Sequence, residues 1–250
     1  MTISTTDKEK NNNVPLKFLE SGLILLDKPK GISSFQAVKI VSKSLGNIKA
    51  GHMGTLDPEA SGLLIIGVNK ATKLFNKFLN GKKEYYATFQ FGYETDTLDS
   101  VGSVTKSTNL KIAKNQVFDI IESFVGKQLQ IPPIYSAKKI NGCRAYNLAR
   151  NNKEVELKPN EVELFDLSLI DKLCDVEKQS YTFKINCSSG FYVRSLGRDI
   201  ANKLSTYATT TCIRRTKCCG FDVKNANSLE DIKNLKFSFI SLDKALELIN

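Results

Sequence analysis

Gly51-His52-Met53-Gly54-Thr55-Leu56-Asp57-Pro58-Glu59-Ala60-Ser61-Gly62 runs straight into Leu63-Leu64-Ile65-Ile66-Gly67-Val68. The second half is a short apolar run, of the length and branching that suit a buried strand. The first half holds three glycines in twelve residues, which allow tight turns or a close approach of backbone to a ligand. Asp57, Pro58 and Glu59 follow the order of a helix start: a cap, a first helical position, a first-turn acid. On local physics alone Asp57 therefore reads as an N-cap. His52, the single histidine, reads as a hydrogen-bonded structural group.

Working outward, Leu23 to Pro29 predicts a strand that begins near Gly22 and is stopped by Pro29. Ser33 or Ser34 caps a helix whose Phe35, Val38, Val41 and Leu45 recur at helical spacing, with Gly46 as its stop. Downstream, Ala71 to Leu79 reads as a helix. The period then changes to two from Lys83 to Tyr93, with Tyr85, Ala87, Phe89 and Phe91 on one face of a half-buried strand. A helix through Ile112, Ile120, Ile121 and Phe124 spans 110–125. Residues 126–152 are basic, proline-containing and less periodic, a candidate insertion or binding arm. Strands near 162–170 and 180–187 precede a helix over 194–204, an extended segment to Val223, and two short helices. Residues 1–20 form a polar tail, and 21–250 read as one α+β domain.

A chain of 250 residues, 41% hydrophobic and 25% charged, can bury a core, which excludes fibrous and wholly disordered classes. No apolar run is long enough for a membrane helix, and the N-terminal residues lack the apolar core of a secretory signal. The expected location is the cytoplasm. The net charge of +10 favours a polyanionic partner, nucleic acid first. Only six of the 36 basic residues are arginine (144, 150, 194, 198, 214 and 215), so each stands where a planar fork is needed. Six cysteines without a CxxC pair predict reduced thiols, with neither disulfides nor a metal site.

The Gly51–Leu64 stretch resembles the signature of the tRNA pseudouridine synthase B family, Gly-His-x-Gly-x-Leu-Asp-Pro-x-Ala-(Ser/Thr)-Gly. Further segments resemble the family in the family's order. They are Leu25–Ser34, KEYYATFQFG, Thr95–Gly102, Gln130–Arg150, Cys187–Ile200 and Ile213–Thr216, together covering about 22–221. The resemblance implies the pseudouridine synthase fold, a central mixed, mostly antiparallel sheet flanked by helices and loops. It implies isomerisation of uridine to pseudouridine at position 55 in the T loop of tRNA, by base flipping, with no cofactor. It makes Asp57 the nucleophile and Arg194 the partner that keeps this carboxylate ionised. Tyr85 becomes the aromatic that stacks on the extruded uracil. Tyr192 and Ile213 line the uracil pocket, by backbone contacts and an apolar wall, and His52 contacts RNA near the flipped base. Attack at ribose C1′, attack at uracil C6 and elimination to a glycal are all compatible with these residues.

Lys28 and Gly31 are expected beside the catalytic loop. The resemblance makes 126–152 an RNA-binding arm, with Lys138, Lys139, Arg144 and Arg150, that closes over the T loop. Thr95-Asp96-Thr97…Asp99 reads as a hydrogen-bonded turn, since it lacks a calcium-loop pattern. Departures from the family are Thr209, where many members carry His, and Cys219, where Gly is frequent. A monomer without a C-terminal PUA-type domain and without a required protein partner is expected, of the stand-alone bacterial type. A tRNA-refolding chaperone is the alternative function. A two-carboxylate glycosidase built on Asp57 and Glu59 fails because the two side chains diverge. A nuclease would need a metal-binding acidic cluster.

Overall fold

A computed structural model describes residues 20–79, 81–136, 138–140, 143–144 and 157–249. The chain separates into two compact units, one formed up to Leu79 and again from Cys219, the other by Asn80–Cys218. Among the described residues no helix is long and apolar enough to cross a membrane.

The first unit opens with Gly22–Lys28 (β1), Ser34–Ser44 (α1), Ala50–His52 (β2), Ser61–Val68 (β3) and Phe75–Leu79 (α2). β1 runs antiparallel to β3 from Gly22↔Val68 to Lys28↔Gly62, and β2 pairs with β3 from Ala50↔Val68 to His52↔Ile66. Leu23, Ile24, Leu26, Leu63, Leu64, Ile65 and Ile66 are fully buried. Each such side chain stabilises the fold by about 1.5–3 kcal/mol relative to exposure.

α1 starts as expected, with Ser33 and Gln36 forming a capping box. Its buried stripe is Ser34, Ala37, Val38 and Val41, and Phe35 is 61% exposed. At 100° per residue Phe35 falls off that stripe, and Ser34 takes the inward place because its hydroxyl bonds the main chain of Leu56. Lys39 stands 4.7 Å from the centroid of the Phe35 ring.

The second unit holds Lys83–Phe91 (β4), Tyr93–Thr95 (β5), Val104–Ser107 (β6), Lys114–Ile121 (α3), Gly126–Gln130 (β7), Lys139–Ile140 (β8) and Cys143–Arg144 (β9). Asn160–Leu169 (β10), Ser180–Cys187 (β11), Val193–Lys203 (α4) and Ala208–Cys218 (β12) complete it. Its sheet has the order β12-β4-β11-β10-β7, with every one of these ladders antiparallel. The alternation in β4 holds: Tyr85, Ala87, Phe89 and Phe91 are buried. Phe89 meets Phe183 with ring centroids 5.3 Å apart, and Phe91 meets Tyr181 edge-on at 5.5 Å. α4 lies close to β4 at Gly197, where an added Cβ would stand 2.7 Å from the Phe89 ring.

The segment read as an arm from 126 begins as a sheet strand, since β7 pairs with β10 from Gly126↔Leu164 to Gln130↔Asn160. Lys138 is tied to the root of β10, donating to the Lys158 carbonyl and the Asn160 side chain at 2.6 Å each. Arg150 and residues 1–19 lie outside the described residues.

The chain returns to the first unit with Phe221–Asp222 (β13), Leu229–Lys233 (α5), Ile240–Ser241 (β14) and Leu242–Ile249 (α6). β14 pairs with β1. Cys219, in the turn before β13, has φ +53°, a left-handed conformation that a glycine holds without the clash of a Cβ.

Candidate active site

Asp57 does not start a helix. Ala60 N–H donates to the Asp57 carbonyl at 3.1 Å, closing a single turn over Pro58 and Glu59, and β3 follows at once from Ser61. The fixed φ of proline suits the second position of a turn as well as the first position of a helix. With the strand beginning four residues later, no length remains in which a helix could propagate.

The half-buried Asp57 sits on a turn braced from its own unit. Ser34 Oγ accepts from Leu56 N–H at 2.8 Å and donates to the Leu56 carbonyl at 2.9 Å. Gly31 N–H donates to the Pro58 carbonyl at 2.9 Å. Lys28, fully buried, donates from Nζ to the carbonyls of Pro29 and Ile32 at 2.8 Å and of Pro58 at 3.2 Å. Three carbonyls offset the desolvation of its ammonium. Lys28 and Gly31 thus stand where they were expected, beside the Asp57 turn. His52 is half-buried on β2, opposite Ile66.

In the second unit, Tyr85 lies on β4 between Ile185 of β11 and Arg215 of β12. It is 7% exposed. Burial holds its hydroxyl well above the usual phenol range, opposed by the nearby Arg215 guanidinium, which bonds it. Arg215 is 1% exposed, and the Cys187 thiol near it is pushed by burial up to about 12. Ile213, on the same strand as Arg215, is buried opposite Ala87.

Arg194 occupies the first turn of α4 and is 5% exposed. Nη1 donates to the Thr97 carbonyl at 2.7 Å, Nη2 donates to the Tyr135 carbonyl at 2.8 Å, and Asp99 Oδ2 lies 3.4 Å from Nη1. Asp99 belongs to the turn anticipated over 95–99. There Thr97 Oγ1 donates to Asp99 Oδ1 at 2.6 Å, Thr95 Oγ1 to the Asp99 carbonyl at 2.7 Å, and Ser103 N–H to Asp96 Oδ1 at 2.9 Å.

Tyr192 is the N-cap of α4. Its N–H donates to Gln130 Oε1 at 2.8 Å, and its carbonyl accepts from Gln130 Nε2 at 3.1 Å and from Leu196 N–H at 3.2 Å. Both main-chain groups of Tyr192 are thus bonded within the protein, and its ring is half-buried. Tyr85, Tyr192, Arg194 and Ile213 all belong to the second unit, while His52 and Asp57 belong to the first.

Asp99, Gln130 and the depth of Arg215 were not read as functional in the sequence. All three lie in segments that resemble the family, but the role of each is defined by a partner far away in the chain.

The fold is similar to that of two solved structures. A crystal structure of a Cbf5–Nop10–Gar1 complex matches 87% of this chain with a TM-score of 0.66 and 25% identity. An H/ACA ribonucleoprotein bound to a substrate RNA containing 2'-deoxyuridine matches 91% with a TM-score of 0.68 and 22% identity. This chain spans 55% and 61% of those two chains. The family model described as TruB family pseudouridylate synthase (N terminal domain) matches residues 42–193. The tRNA pseudouridine synthase B of Caldicellulosiruptor saccharolyticus is 41% identical over 230 residues, covering 92% of this chain and 76% of the relative. That of Aquifex aeolicus is 44% identical over 210 residues, covering 84% and 72%. The chain belongs to the TruB family of pseudouridylate synthases.

Proposed function

We propose that this protein isomerises uridine to pseudouridine in tRNA, at position 55 of the T loop, with Asp57 as the nucleophile. The observation that carries the reading is the Asp57 turn, braced by Ser34, Gly31 and Lys28 through main-chain atoms of Leu56 and Pro58. A carboxylate displayed on an independently rigid turn is pre-organised for attack. The reaction balances without a co-reactant: the N1–C1′ bond breaks, a C5–C1′ bond forms, C5 loses a proton and N1 gains one.

Tyr85 stacks on the flipped base, and its raised hydroxyl stays protonated at neutral pH. Flipping costs a few kcal/mol, which stacking offsets. Arg194 is a positive charge locked in place by Thr97, Tyr135 and Asp99, suited to keeping a carboxylate ionised. The Ile213 side chain and the Tyr192 ring form the pocket wall, and His52 contacts RNA beside the extruded nucleotide. Between Lys28 and Leu56 the chain has lysines but no acidic residue, and Lys30, Lys39, Lys43 and Lys49 are exposed, a surface matched to phosphates. The protein acts as a cytoplasmic monomer on the T arm of tRNA.

The test is pseudouridine formation on an unmodified tRNA transcript, wild type against Asp57→Asn. Product at the T-loop uridine from wild type alone is expected. A wild type that binds and refolds the tRNA but makes no pseudouridine would replace this reading with the chaperone.

A further inference from the structure

We propose that Gln130 is a positioning residue for the uracil pocket, holding Tyr192 by both of its main-chain groups. The proposal rests on the function given above and adds a part to it. Gln130 ends β7 and is 1% exposed. A primary amide carries a donor and an acceptor on one rigid plane, and Gln130 uses both on one residue: Tyr192 N–H donates to Oε1 at 2.8 Å, and Nε2 donates to the Tyr192 carbonyl at 3.1 Å. This is the two-bond pairing that a neighbouring strand residue would make, supplied here by a side chain.

Tyr192 needs such a partner. It stands at φ −107° and ψ 109°, where extended chain turns into α4, and it makes no side-chain cap bond to the helix. Rotation of its peptide planes would swing its ring and, two residues on, the Arg194 guanidinium.

Other bonds cross the same seam, but with the roles reversed. Ser195 Oγ and Arg198 Nη2 donate to the Ile131 carbonyl at 2.8 and 3.0 Å, and Arg194 Nη2 donates to the Tyr135 carbonyl. In those, side chains of α4 grip the backbone of 131–135. Gln130 instead fixes the backbone that precedes α4, at the residue whose ring lines the pocket. The root of the 131–136 segment and the uracil wall are thereby joined at one amide.

The experiment compares wild type, Gln130→Met, Gln130→Glu and Ser195→Ala on an unmodified tRNA transcript. It measures kcat, KM, tRNA affinity, melting temperature and hydrogen exchange over 188–196. Methionine keeps the length and loses both bonds. Glutamate keeps the shape and the acceptor for Tyr192 N–H, which covers the case in which the methionine variant fails to fold. Loss of the clamp should lower kcat by about ten- to a hundredfold, the scale of a misplacement near 1 Å. KM and tRNA affinity should stay within about threefold, and exchange at Tyr192 should quicken. Ser195→Ala, which removes a neighbouring stitch of the same seam, should keep kcat within about twofold.

An unchanged kcat in both Gln130 variants overturns the inference. So does a Ser195→Ala variant that loses as much rate as they do, since the seam would then be merely structural. A wild type that makes no pseudouridine overturns the proposed function and the inference with it. An active wild type beside equally active Gln130 variants overturns the inference alone.

Discussion

Two aspartate-bearing turns, over 55–60 and over 95–102, look alike in sequence and are built on opposite plans. The turn at 95–102 uses its own carboxylates as mortar. Asp96 accepts from Ser103 N–H, and Asp99 accepts from Thr97 and Val101 while reaching Arg194. The turn at 55–60 is held from outside by Ser34, Gly31 and Lys28, and none of those bonds uses the Asp57 carboxylate. A carboxylate that stabilises a turn is committed to it. A turn braced by other groups holds its shape through bonds to its main chain, and the difference lies in where the bracing comes from.

The sharpest way to break this comparison is to remove each carboxylate's role in turn. Asp57→Asn should abolish pseudouridine formation by about 10⁴-fold or more, the scale seen when a nucleophile is lost, with the melting temperature within about 2 °C of wild type. A matching fall in melting temperature would make Asp57 a structural acid after all. Arg194→Lys comes next. An ammonium cannot serve Thr97, Tyr135 and Asp99 at once as the planar fork does, and single-turnover rates should fall about a hundredfold. Retention of near-full rate would show that the fork geometry is irrelevant.

Gly102→Ala attacks the self-made turn through packing. The new methyl would stand 2.3 Å from Thr97 Oγ1 and 2.4 Å from Asp96 Oδ1, so the bonds to Asp96 and Asp99 must open. The variant should lose about 1–3 kcal/mol in urea unfolding, and a neutral result would mean that the turn is held elsewhere. Ser34→Ala is the mildest. It strips one brace from the Asp57 turn and leaves both Leu56 main-chain groups without that partner, costing about 1–2 kcal/mol. Catalysis should fall by less than tenfold, because Lys28 and Gly31 still hold Pro58.

Much of this was legible from residue patterns, and the failures have a common cause. Period-two and apolar-run signals placed β1, β3, β4, β10 and β11, because burial of a repeating face is a local property of the chain. The Gly-His-x-Gly motif marked Asp57, yet the local grammar of Asp57-Pro58-Glu59 suggested a helix. The same dihedral restriction serves helix and turn, and the strand that follows decides between them. Helical spacing with Val38, Val41 and Leu45 puts Phe35 on the helix's apolar face, but the Ser34 hydroxyl has two buried backbone partners 22 residues away and takes the inward place. Gln130 with Tyr192, and Tyr85 with Arg215, are likewise long-range pairings, so their meaning exists only once the sheet has been assembled.

Gly197 has a consequence for anyone who would engineer this protein. Exchange of a helix glycine for alanine is a standard stabilising move, worth about 1 kcal/mol through helix propensity. Here the missing methyl is the spacer that lets α4 settle against the Phe89 ring, and the same helix carries Arg194 one turn earlier. A library ranked on helix propensity would select the substitution that lifts the helix and detunes the site together, so position 197 is one to freeze before any thermostabilising search begins.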